Sequence, residues 1–260
     1  RYHEYGYFPG CVDFMDVEVK FTHLNKGDAD HASIAAASIK LLNYADIDPL
    51  VLDMNVFKCS GHDQLWQGNL EVYDALKEHN MRRLKESGIK ILTCSCAECY
   101  RTFAVDYDLP NTLGIKVEHI TQTLQGRGLK FKAPENVTVS YHDPCRLGRM
   151  MGEYEAPRDL IQLVDGATMV ELENNKERAL CCGVSSMMYC NDATKAVRRK
   201  RLDQGTDAGI DIMLGGCPKC YMHMQCMLNE ERMNPEEGHH HDYEMMDLMQ
   251  FLVTCLEDGK

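Results

Sequence analysis

The sequence has no long apolar run, and stretches such as residues 89–92 fall far short of the roughly 20 residues that a membrane-spanning helix needs. Basic residues are also scarce, at 28 against 40 acidic ones, which gives a formal charge of −12. Because phosphate backbones attract positive charge, this balance argues against nucleic-acid binding. Neither a glycine-rich dinucleotide fingerprint nor a P-loop occurs, so we expect no bound flavin or nucleotide.

Cysteine, by contrast, is abundant, with thirteen in 260 residues. No secretory signal is evident, although the sequence begins at Arg1 rather than Met, so its start carries little information about targeting. An acidic chain with an odd number of cysteines favours a reducing, cytoplasmic location, where cysteines are more often metal ligands than disulfides. With 44% hydrophobic and 26% charged residues, the chain should fold around a globular core.

Short β-rich runs alternate with amphipathic stretches along the whole chain, which is typical of βαβ units in an α/β fold with mostly parallel sheets. Six strands are predicted at residues 50–54, 90–93, 116–120, 137–142, 168–172 and 210–214. Seven helices are predicted at residues 31–44, 70–87, 99–107, 156–164, 187–207, 217–228 and 243–256.

The cysteines form two parallel patterns. The second half contains C-x35-CC-x34-C-x-x-C, formed by Cys145, Cys181, Cys182, Cys217 and Cys220. The first half contains C-x47-C-x36-C-x-x-C, formed by Cys11, Cys59, Cys96 and Cys99. The offset between matching residues is 122 at Cys59 and Cys181 and 121 at Cys96 and Cys217. This near-constant offset predicts two repeated βα subdomains, over residues 1–128 and 129–260, joined by a polar linker.

The complete second motif lies in loops that follow predicted strands. In an open α/β sheet the loops at the strand carboxyl ends converge in one crevice, so the five thiols are expected to meet there. Four thiolates satisfy either tetrahedral zinc or an ordinary iron–sulfur cube. The adjacent pair Cys181–Cys182 is awkward for a single tetrahedral ion and favours a cluster with an extra ligand.

Three segments resemble the cysteine-rich CCG repeat: YHDPCRLGR at 141–149, LCCG at 180–183 and GCPKCYMH at 216–223. YFPGC at 7–11 and CAECY at 96–100 extend the resemblance to the first half. That repeat occurs in the B and D subunits of heterodisulfide reductases. It also occurs in the K subunit of the dissimilatory sulfite reductase-associated complex and in iron–sulfur subunits of glycolate and lactate oxidation.

The resemblance implies that a complete motif holds a noncubane [4Fe–4S] cluster that binds and reductively cleaves a disulfide. Carried onto this sequence, that cluster is held by Cys145, Cys181, Cys182, Cys217 and Cys220, which together form the active site. The chemistry needs such a site because disulfide reduction takes two electrons while a cluster delivers one at a time.

The first half departs from the pattern at Ser60, which stands where the second cysteine of the pair would be. Cys11, Cys59, Cys96 and Cys99 remain as matching ligands for a second cluster. Cys94 and the Ser60 oxygen are extra candidates. A conventional cluster, a variant noncubane cluster and a vestigial structural site all stay open for this half.

His142 and His223 flank the second motif, so each could donate a hydrogen bond to sulfur, supply a proton to a leaving thiolate, or simply belong to the core. Three basic residues near the motif, Arg146, Arg149 and Lys219, would make the mouth of the crevice positive, unless they are ordinary solvated charges. The remaining cysteines Cys190, Cys226 and Cys255 lie in helical patterns and are expected in the core.

These observations favour an iron–sulfur oxidoreductase of the disulfide reductase type, acting on the disulfide or trisulfide of a thiol cofactor or small partner protein. A ferredoxin-like domain or subunit would feed it electrons, within a larger complex that could lie peripherally at the inner face of a membrane. One alternative is an electron-relay subunit of a glycolate or lactate oxidation complex. Another is a zinc-stapled assembly module, and a weaker third is a thiol–disulfide exchanger.

Overall fold

Two parallel β-sheets, one from each half of the chain, form the framework of the protein. The computed structural model describes residues 3–10, 12, 30–184, 190–238 and 240–256. Within these residues each sheet has four strands, and every strand pair in both sheets is parallel. The predicted α/β class with mostly parallel sheets is therefore confirmed.

The first half alternates short strands and helices. Its strands are β1 (Tyr5–Phe8), β2 (Leu50–Val51), β3 (Ile91–Cys94) and β4 (Lys116–His119). Its helices are α1 (His31–Tyr44), α2 (His62–Trp66), α3 (Leu70–Ser87), α4 (Ala97–Arg101), α5 (Leu109–Thr112) and α6 (Ile120–Leu124). A π-helical turn, Thr102–Asp106, continues α4.

The second half repeats this alternation. Its strands are β5 (Phe131–Tyr141), β6 (Val164–Met169), β7 (Ile212–Gly215) and β8 (Glu244–Asp247). Its helices are α7 (Gly148–Met151), α8 (Glu155–Gln162), α9 (Asp192–Asp207), α10 (Pro218–Met233) and α11 (Leu248–Thr254). Short 3-10 helices span Lys176–Arg178 and Pro235–Glu237.

The two sheets have the same topology. Their strand orders are β2-β1-β3-β4 and β6-β5-β7-β8, so each strand of the first half has a counterpart in the second. In both sheets the connections run in opposite directions from the central pair, β1 with β3 and β5 with β7. The loops after these central strands thus border a topological switch point, where open α/β sheets bind ligands.

Helix ends in this fold are fixed by local side-chain caps. Asp30 accepts the backbone N–H of Ser33 at 3.0 Å and starts α1, while Asn191 and Thr194 form a reciprocal capping box at the start of α9. Asp247 caps α11 in the same way as His119 caps α6. Each cap satisfies amide groups that the first helical turn leaves without partners.

The halves pack against each other rather than standing apart. Helix α1 of the first half packs on α11 of the second. His119, which is fully buried, donates from Nε2 to the carbonyl oxygen of Gly216 at 3.2 Å. This bond ties the end of β4 to the loop that carries Cys217. The boundary between residues 128 and 129 stays a prediction.

The sequence missed two strands, β1 and β8. Gly6 interrupts β1 and looks like a strand breaker, yet a Cβ there would lie 2.5 Å from Ile89 Cδ1, so glycine allows the close approach. The predicted helix over residues 243–256 was wrong at its start, because Glu244–Asp247 is strand β8 paired with β7. Its Met-rich sequence favours helix, and tertiary pairing overrides that local propensity.

Other boundaries differ only at their ends. The helix predicted over residues 187–207 begins at Asp192, and residues 185–189 lie outside the described part of the chain. The helices at residues 31–44 and 70–87 have the predicted bounds. Among the described residues, no helix combines the length and the apolar character needed to cross a membrane.

Candidate functional site

The cysteine motifs lie in loops at the carboxyl ends of the strands, as predicted. Cys145 follows β5 and Cys217 follows β7, the two central strands of the second sheet. The pair Cys181–Cys182 comes from the long segment after β6. The side chains of the motif therefore approach the switch point of this sheet from three loops.

The five thiols of the second motif form a continuous chain of contacts. Hydrogen bonds join Cys145 to Cys181 and Cys181 to Cys182. Cys220 Sγ donates to Cys182 Sγ at 3.1 Å, and Cys220 also bonds with Cys217. Cys182, Cys217 and Cys220 are buried, whereas Cys145 and Cys181 are half-buried and form the open side.

The thiols of the first half continue this chain. Cys96 hydrogen-bonds both Cys217 of the second motif and Cys99 of its own motif. Ser60 is fully buried, and its Oγ lies 3.4 Å from Cys99 Sγ and 3.1 Å from His62 Nδ1. The hydroxyl of Ser60 thus contacts the Cys-x-x-Cys of its own half, as Cys182 contacts Cys220 in the other.

Cysteine ionisation is uneven along the chain of contacts. Hydrogen bonds from Cys145 and Cys182 hold the pKa of Cys181 well below its usual range. Hydrogen bonds from Cys217 and Cys99 do the same for the pKa of Cys96. The pKa of Cys145 is raised, first by its bond with Cys181 and then by burial. One thiolate in each half is therefore favoured, and thiolates are the form that binds metal.

The glycine that follows Cys59–Ser60 in the first half and Cys181–Cys182 in the second sets the local backbone. Gly61 and Gly183 both adopt left-handed conformations, with φ of 79° and 75°. A Cβ at Gly183 would lie 2.3 Å from the carbonyl oxygen of Thr194. The turn places the amide of Gly61 3.5 Å from Cys59 Sγ, and the amide of Gly183 bonds Cys181 in the same way. Both turns therefore donate a backbone N–H to sulfur.

Three other candidate ligands of the first half have different environments. Cys59 is half-buried, as is its counterpart Cys181. Cys94 is fully buried at the end of β3, burial raises its pKa, and no described hydrogen bond joins it to another thiol. Cys11 lies outside the described residues, next to Gly10, where a Cβ would lie 3.5 Å from Cys99 Sγ.

The two flanking histidines are buried beside arginines of α9. His142 Nδ1 accepts from Arg201 Nε at 3.0 Å, and burial together with Arg201 lowers the pKa of His142 to about 3. His223 Nδ1 accepts from Arg198 at 3.1 Å, and burial and Arg198 lower its pKa to about 3 as well. Both rings are therefore neutral at physiological pH, with the proton on Nε2. A neutral ring can donate a hydrogen bond but is poorly suited to act as the acid.

His142 is also close to the thiols. One ring nitrogen of His142 and the sulfurs of Cys182 and Cys220 all lie within 4.8 Å of one another. Its Nδ1 is occupied by Arg201, and its Nε2 has no hydrogen-bond partner among the described residues. His142 can thus direct an N–H at sulfur, a role typical of groups around a metal centre.

A buried ion cluster lies between the two Cys-x-x-Cys motifs. Lys219 Nζ bonds Glu98 at 3.0 Å and Asp63 at 2.7 Å, and His62 Nε2 lies 2.6 Å from Glu98. Although burial opposes its charge, Glu98 and Asp63 raise the pKa of His62 to about 10. Both predictions for Lys219, as positive charge at the crevice mouth and as an ordinary solvated charge, were wrong, because its exposure is only 3% and its charge is neutralised in this cluster.

Neighbouring residues fix the loops. Asp143, two residues before Cys145, accepts two hydrogen bonds from Arg158 at 2.8 and 3.0 Å. Arg149 donates to the carbonyl oxygen of Ala179 at 2.6 Å, just before the Cys181–Cys182 pair.

Cys226 and Cys255 are buried as expected, but the prediction for Cys190 was wrong, since it is exposed just before α9.

The donor set fits an iron–sulfur cluster. Soft thiolates are the ligands that such clusters use, and five thiols here are linked one to the next in a single chain of contacts. A smaller set, Cys182, Cys220 and His142, would also suit a tetrahedral zinc ion. Metal content is therefore the first discriminating property.

Family comparison agrees with this geometry. Residues 5–104 and 139–225 match the CCG family, described as a cysteine-rich domain. The chain belongs to the CCG family. The first matched region contains β1 to β3 with Cys96 and Cys99. The second contains the end of β5, then β6 and β7, with Cys145 and Cys220, so each sheet carries one CCG region.

Curated relatives of this CCG protein are iron–sulfur oxidoreductases. The D subunit of the dihydromethanophenazine:CoB–CoM heterodisulfide reductase of Methanosarcina barkeri is 32% identical over 78% of this chain and 52% of its own length. The probable iron–sulfur-binding oxidoreductase FadF of Bacillus subtilis is 28% identical over 75% of this chain and 28% of its own. The B subunit of the fumarate reductase (CoM/CoB) of Methanothermobacter marburgensis is 26% identical over 97% of this chain and 46% of its own length. The chain spans about half the length of the first of these relatives, or less for the others.

Among solved structures, a hypothetical protein from Helicobacter pylori matches this CCG protein with a TM-score of 0.63 and 9% identity. The match covers 99% of this chain and 50% of the other. At this identity the likeness concerns the fold alone.

Sequence reasoning missed the charged residues around the CCG thiols. Arg198 and Arg201 lie in the RRKRL segment of α9 and were given no role, yet both are buried at 0–1% exposure. Glu98 and Lys219 occupy the same position of the two Cys-x-x-Cys motifs. These opposite charges at matching positions could have predicted that the two residues form an ion pair. Trp66, stacked by Arg146, gave no signal at all.

Proposed function

We propose that the chain is a catalytic iron–sulfur unit that reductively cleaves a disulfide or trisulfide at a noncubane [4Fe–4S] cluster. Cys145, Cys181, Cys182, Cys217 and Cys220 would hold this cluster. The observation that carries the proposal is the unbroken contact among these five thiols, including both members of the adjacent pair. A single tetrahedral ion has no use for a fifth thiolate.

The reaction balances in a simple way. For a disulfide, the S–S bond breaks, two electrons enter, and two thiols leave after taking up two protons. For a trisulfide, the same two electrons and two protons break one S–S bond and release one thiol and one persulfide. The bound cluster would supply an iron atom to hold one substrate sulfur between the two one-electron transfers. A ferredoxin-like domain or subunit would deliver the electrons, as part of a larger redox complex that lies in the cytoplasm or at the inner face of a membrane.

The chain's own residues have defined parts in this reaction. Half-buried Cys145 and Cys181 mark the side from which a substrate sulfur would approach, since the other three thiols are buried. His142, held neutral by burial and by Arg201, would donate its Nε2–H to sulfur near Cys182 and Cys220 and stabilise negative charge there. We assign His223 to supporting the Cys182 loop, because its partner Arg198 also bonds the carbonyl oxygen of Cys182 at 3.0 Å.

The first half supplies a second candidate ligand set. Cys59, Cys96 and Cys99 approach the same region, with Cys11 as the fourth cysteine of the motif. We propose that Ser60 acts through its hydrogen bonds to Cys99 and His62, and that core-buried Cys94 is not a ligand. Whether one cluster or two are bound is a matter of iron content.

The deciding experiment is analysis of iron, zinc and acid-labile sulfide in anaerobically purified protein. About four irons per chain correspond to one cluster and about eight to two. Zinc without sulfide would end the redox proposal and leave a structural module. Electron paramagnetic resonance after oxidation, with and without a thiol, should then show a signal that the thiol alters.

A matched pair of variants sharpens this test. Cys182→Ser gives the second motif the arrangement of the first, and should abolish both the noncubane signal and disulfide cleavage while the fold survives. Cys190→Ser removes an exposed cysteine outside the motif and should change neither. Full activity of Cys182→Ser would refute the need for the adjacent pair.

An electron-relay role is the second candidate. Among the relatives are the B subunit of the fumarate reductase and an EtfAB:quinone oxidoreductase of Syntrophomonas wolfei, whose names do not include a disulfide reductase activity. A relay predicts a cluster signal that is indifferent to thiols. The same resonance experiment therefore separates the two functions.

A further inference from the structure

The single tryptophan of the chain, Trp66, contacts two arginines. The Arg146 guanidinium carbon lies 3.7 Å from the centroid of the Trp66 ring, and that of Arg101 lies 5.4 Å from it. Trp66 is 41% exposed, so the ring is available to solvent despite these contacts. We call Trp66, Arg101 and Arg146 the Trp66 stack.

The Trp66 stack borders the open side of the thiol cluster. Arg146 directly follows Cys145, one of the two half-buried thiols of the second motif. Trp66 ends α2, whose first turn carries His62 and Asp63 of the buried ion cluster beside the thiols. The stack therefore joins the two halves of the chain beside the thiols that are accessible.

Among the described residues, Arg146 differs from the other basic residues named at this edge because its guanidinium is neither in an ion pair nor bonded to backbone carbonyls, although the Asp106 carboxyl responds to its charge. Lys219 is neutralised by Glu98 and Asp63, and Arg149 donates to backbone carbonyls. Arg101 forms an ion pair with Asp106. Arg146 donates to the sulfur of Met150, and within the described residues it forms no ion pair with a carboxylate.

We propose that the Trp66 stack is a specificity site that binds the anionic group of a small disulfide substrate through Arg146, an inference that rests on the proposed function. Stacking on the ring orients the guanidinium, and the N–H groups that do not bond Met150 form a planar edge that matches a carboxylate or sulfonate. An anion bound there would lie beside Cys145 and bring the S–S bond to the open side of the cluster.

Trp66 is also a built-in reporter, because intrinsic tryptophan fluorescence comes from this one residue. Anaerobic holoprotein without reductant is titrated with three disulfides of similar size: 3,3′-dithiodipropionate (anionic), bis(2-hydroxyethyl) disulfide (neutral) and cystamine (cationic). We expect the anionic disulfide to bind about five- to tenfold more tightly than the neutral one, as for a charge-assisted hydrogen bond at a partly exposed site. Cystamine should bind most weakly.

Variants test the role of Arg146 directly. Arg146→Gln should abolish the preference for the anion, and Arg146→Lys should keep only part of it because the planar fork is lost. Arg83→Gln removes an equal charge from the exposed surface of α3 and should leave the preference unchanged. Equal dissociation constants for the three disulfides, or an anion preference that survives Arg146→Gln, would overturn the inference. A fluorescence response to polyglutamate but to none of the disulfides would do the same.

Turnover with a chemical reductant separates this inference from the proposed function. If iron-loaded protein cleaves all three disulfides with equal kcat/KM, the function stands and the specificity site is wrong. If it cleaves none of them, the proposed function fails, and the fluorescence titration still decides whether the stack selects anions.

Discussion

Arg201 donates a hydrogen bond from Nε to Nδ1 of His142 at 3.0 Å, and both side chains are almost completely buried. A cation pressed against an imidazole inside the protein keeps that ring neutral and fixes its tautomer. The same helix supplies Arg198 to His223. Burial and the two arginines of α9 therefore act together to keep both histidines near the cluster motif neutral.

Replacing Arg201 by Gln should raise the pKa of His142 from its value of about 3. Burial, the larger cause, remains, so the pKa should stay below the ordinary 6.5. The variant should also lose about 1–3 kcal/mol of unfolding free energy, because Arg201 bonds Asn174 and Gln204 too. Histidine-labelled NMR titration measures the first effect and urea unfolding the second. Lys200→Gln, on the exposed side of α9, is the control, and an unmoved His142 pKa would contradict the assignment.

Stability should depend on pH through the buried ion cluster. The pKa of His62 is raised from 6.5 to about 10, so its contribution is complete below about pH 6.5 and is lost as the pH rises through 10. Burial raises the pKa of Glu98, but the positive charges of His62 and Lys219 outweigh this effect and lower the pKa from 4.5 to about 2. Its contribution is complete above about pH 4.5 and is lost as the pH falls through 2. Urea midpoints measured across this range should decline on both sides, and His62→Gln should flatten the alkaline side selectively.

Removing one member of the central ion pair should be costly. Lys219→Met leaves the carboxylate of Glu98 buried without its closest lysine and should lower the free energy of unfolding by about 3–5 kcal/mol. Adding Glu98→Gln should recover part of this loss, because the uncompensated charge is then gone. Additive losses in the double variant, seen in urea titrations, would show that the two residues do not interact.

Gly61 and Gly183 should differ in how much their replacement by alanine destabilises the protein. Gly183→Ala brings a Cβ to 2.3 Å from a backbone oxygen, whereas Gly61→Ala meets a flexible ring atom of Tyr73 at 3.1 Å. Gly88→Ala, at φ 70° with nothing within 4 Å, measures the conformational cost alone, about 1–2 kcal/mol. We expect the largest destabilisation at Gly183 and the smallest at Gly88 in chemical denaturation. Equal losses at all three would mean that the Thr194 contact relaxes freely.

Ser60→Cys restores the missing cysteine of the first motif. The new thiol would lie where Oγ now contacts Cys99, so we expect the iron and sulfide content per chain to rise. Ser38→Cys, which adds a buried thiol in α1 outside the motif, is the control. If the iron content of Ser60→Cys protein is unchanged, then restoring this one cysteine is not sufficient to build a cluster in the first half.

The sequence predicted those features that depend on a regular pattern. The alternation of strands and helices and the repeated cysteine spacing led to the α/β class and to the CCG resemblance. It could not predict β8, because residues 244–247 have helical propensity and become a strand only by pairing with β7. Nor could it predict that Lys219 is buried, because its partners Asp63 and Glu98 lie more than 100 residues away along the chain.

The pairing of Glu98 with Lys219 also restricts which halves can pack against each other. The two residues hold the same place in each Cys-x-x-Cys, so two copies of the first half, assembled in this way, would bring two carboxylates together, and two copies of the second half two ammonium groups. Like charges buried face to face repel strongly. An assembly of two identical halves is thus disfavoured by charge repulsion at its centre, whereas a first half packed against a second half places opposite charges together.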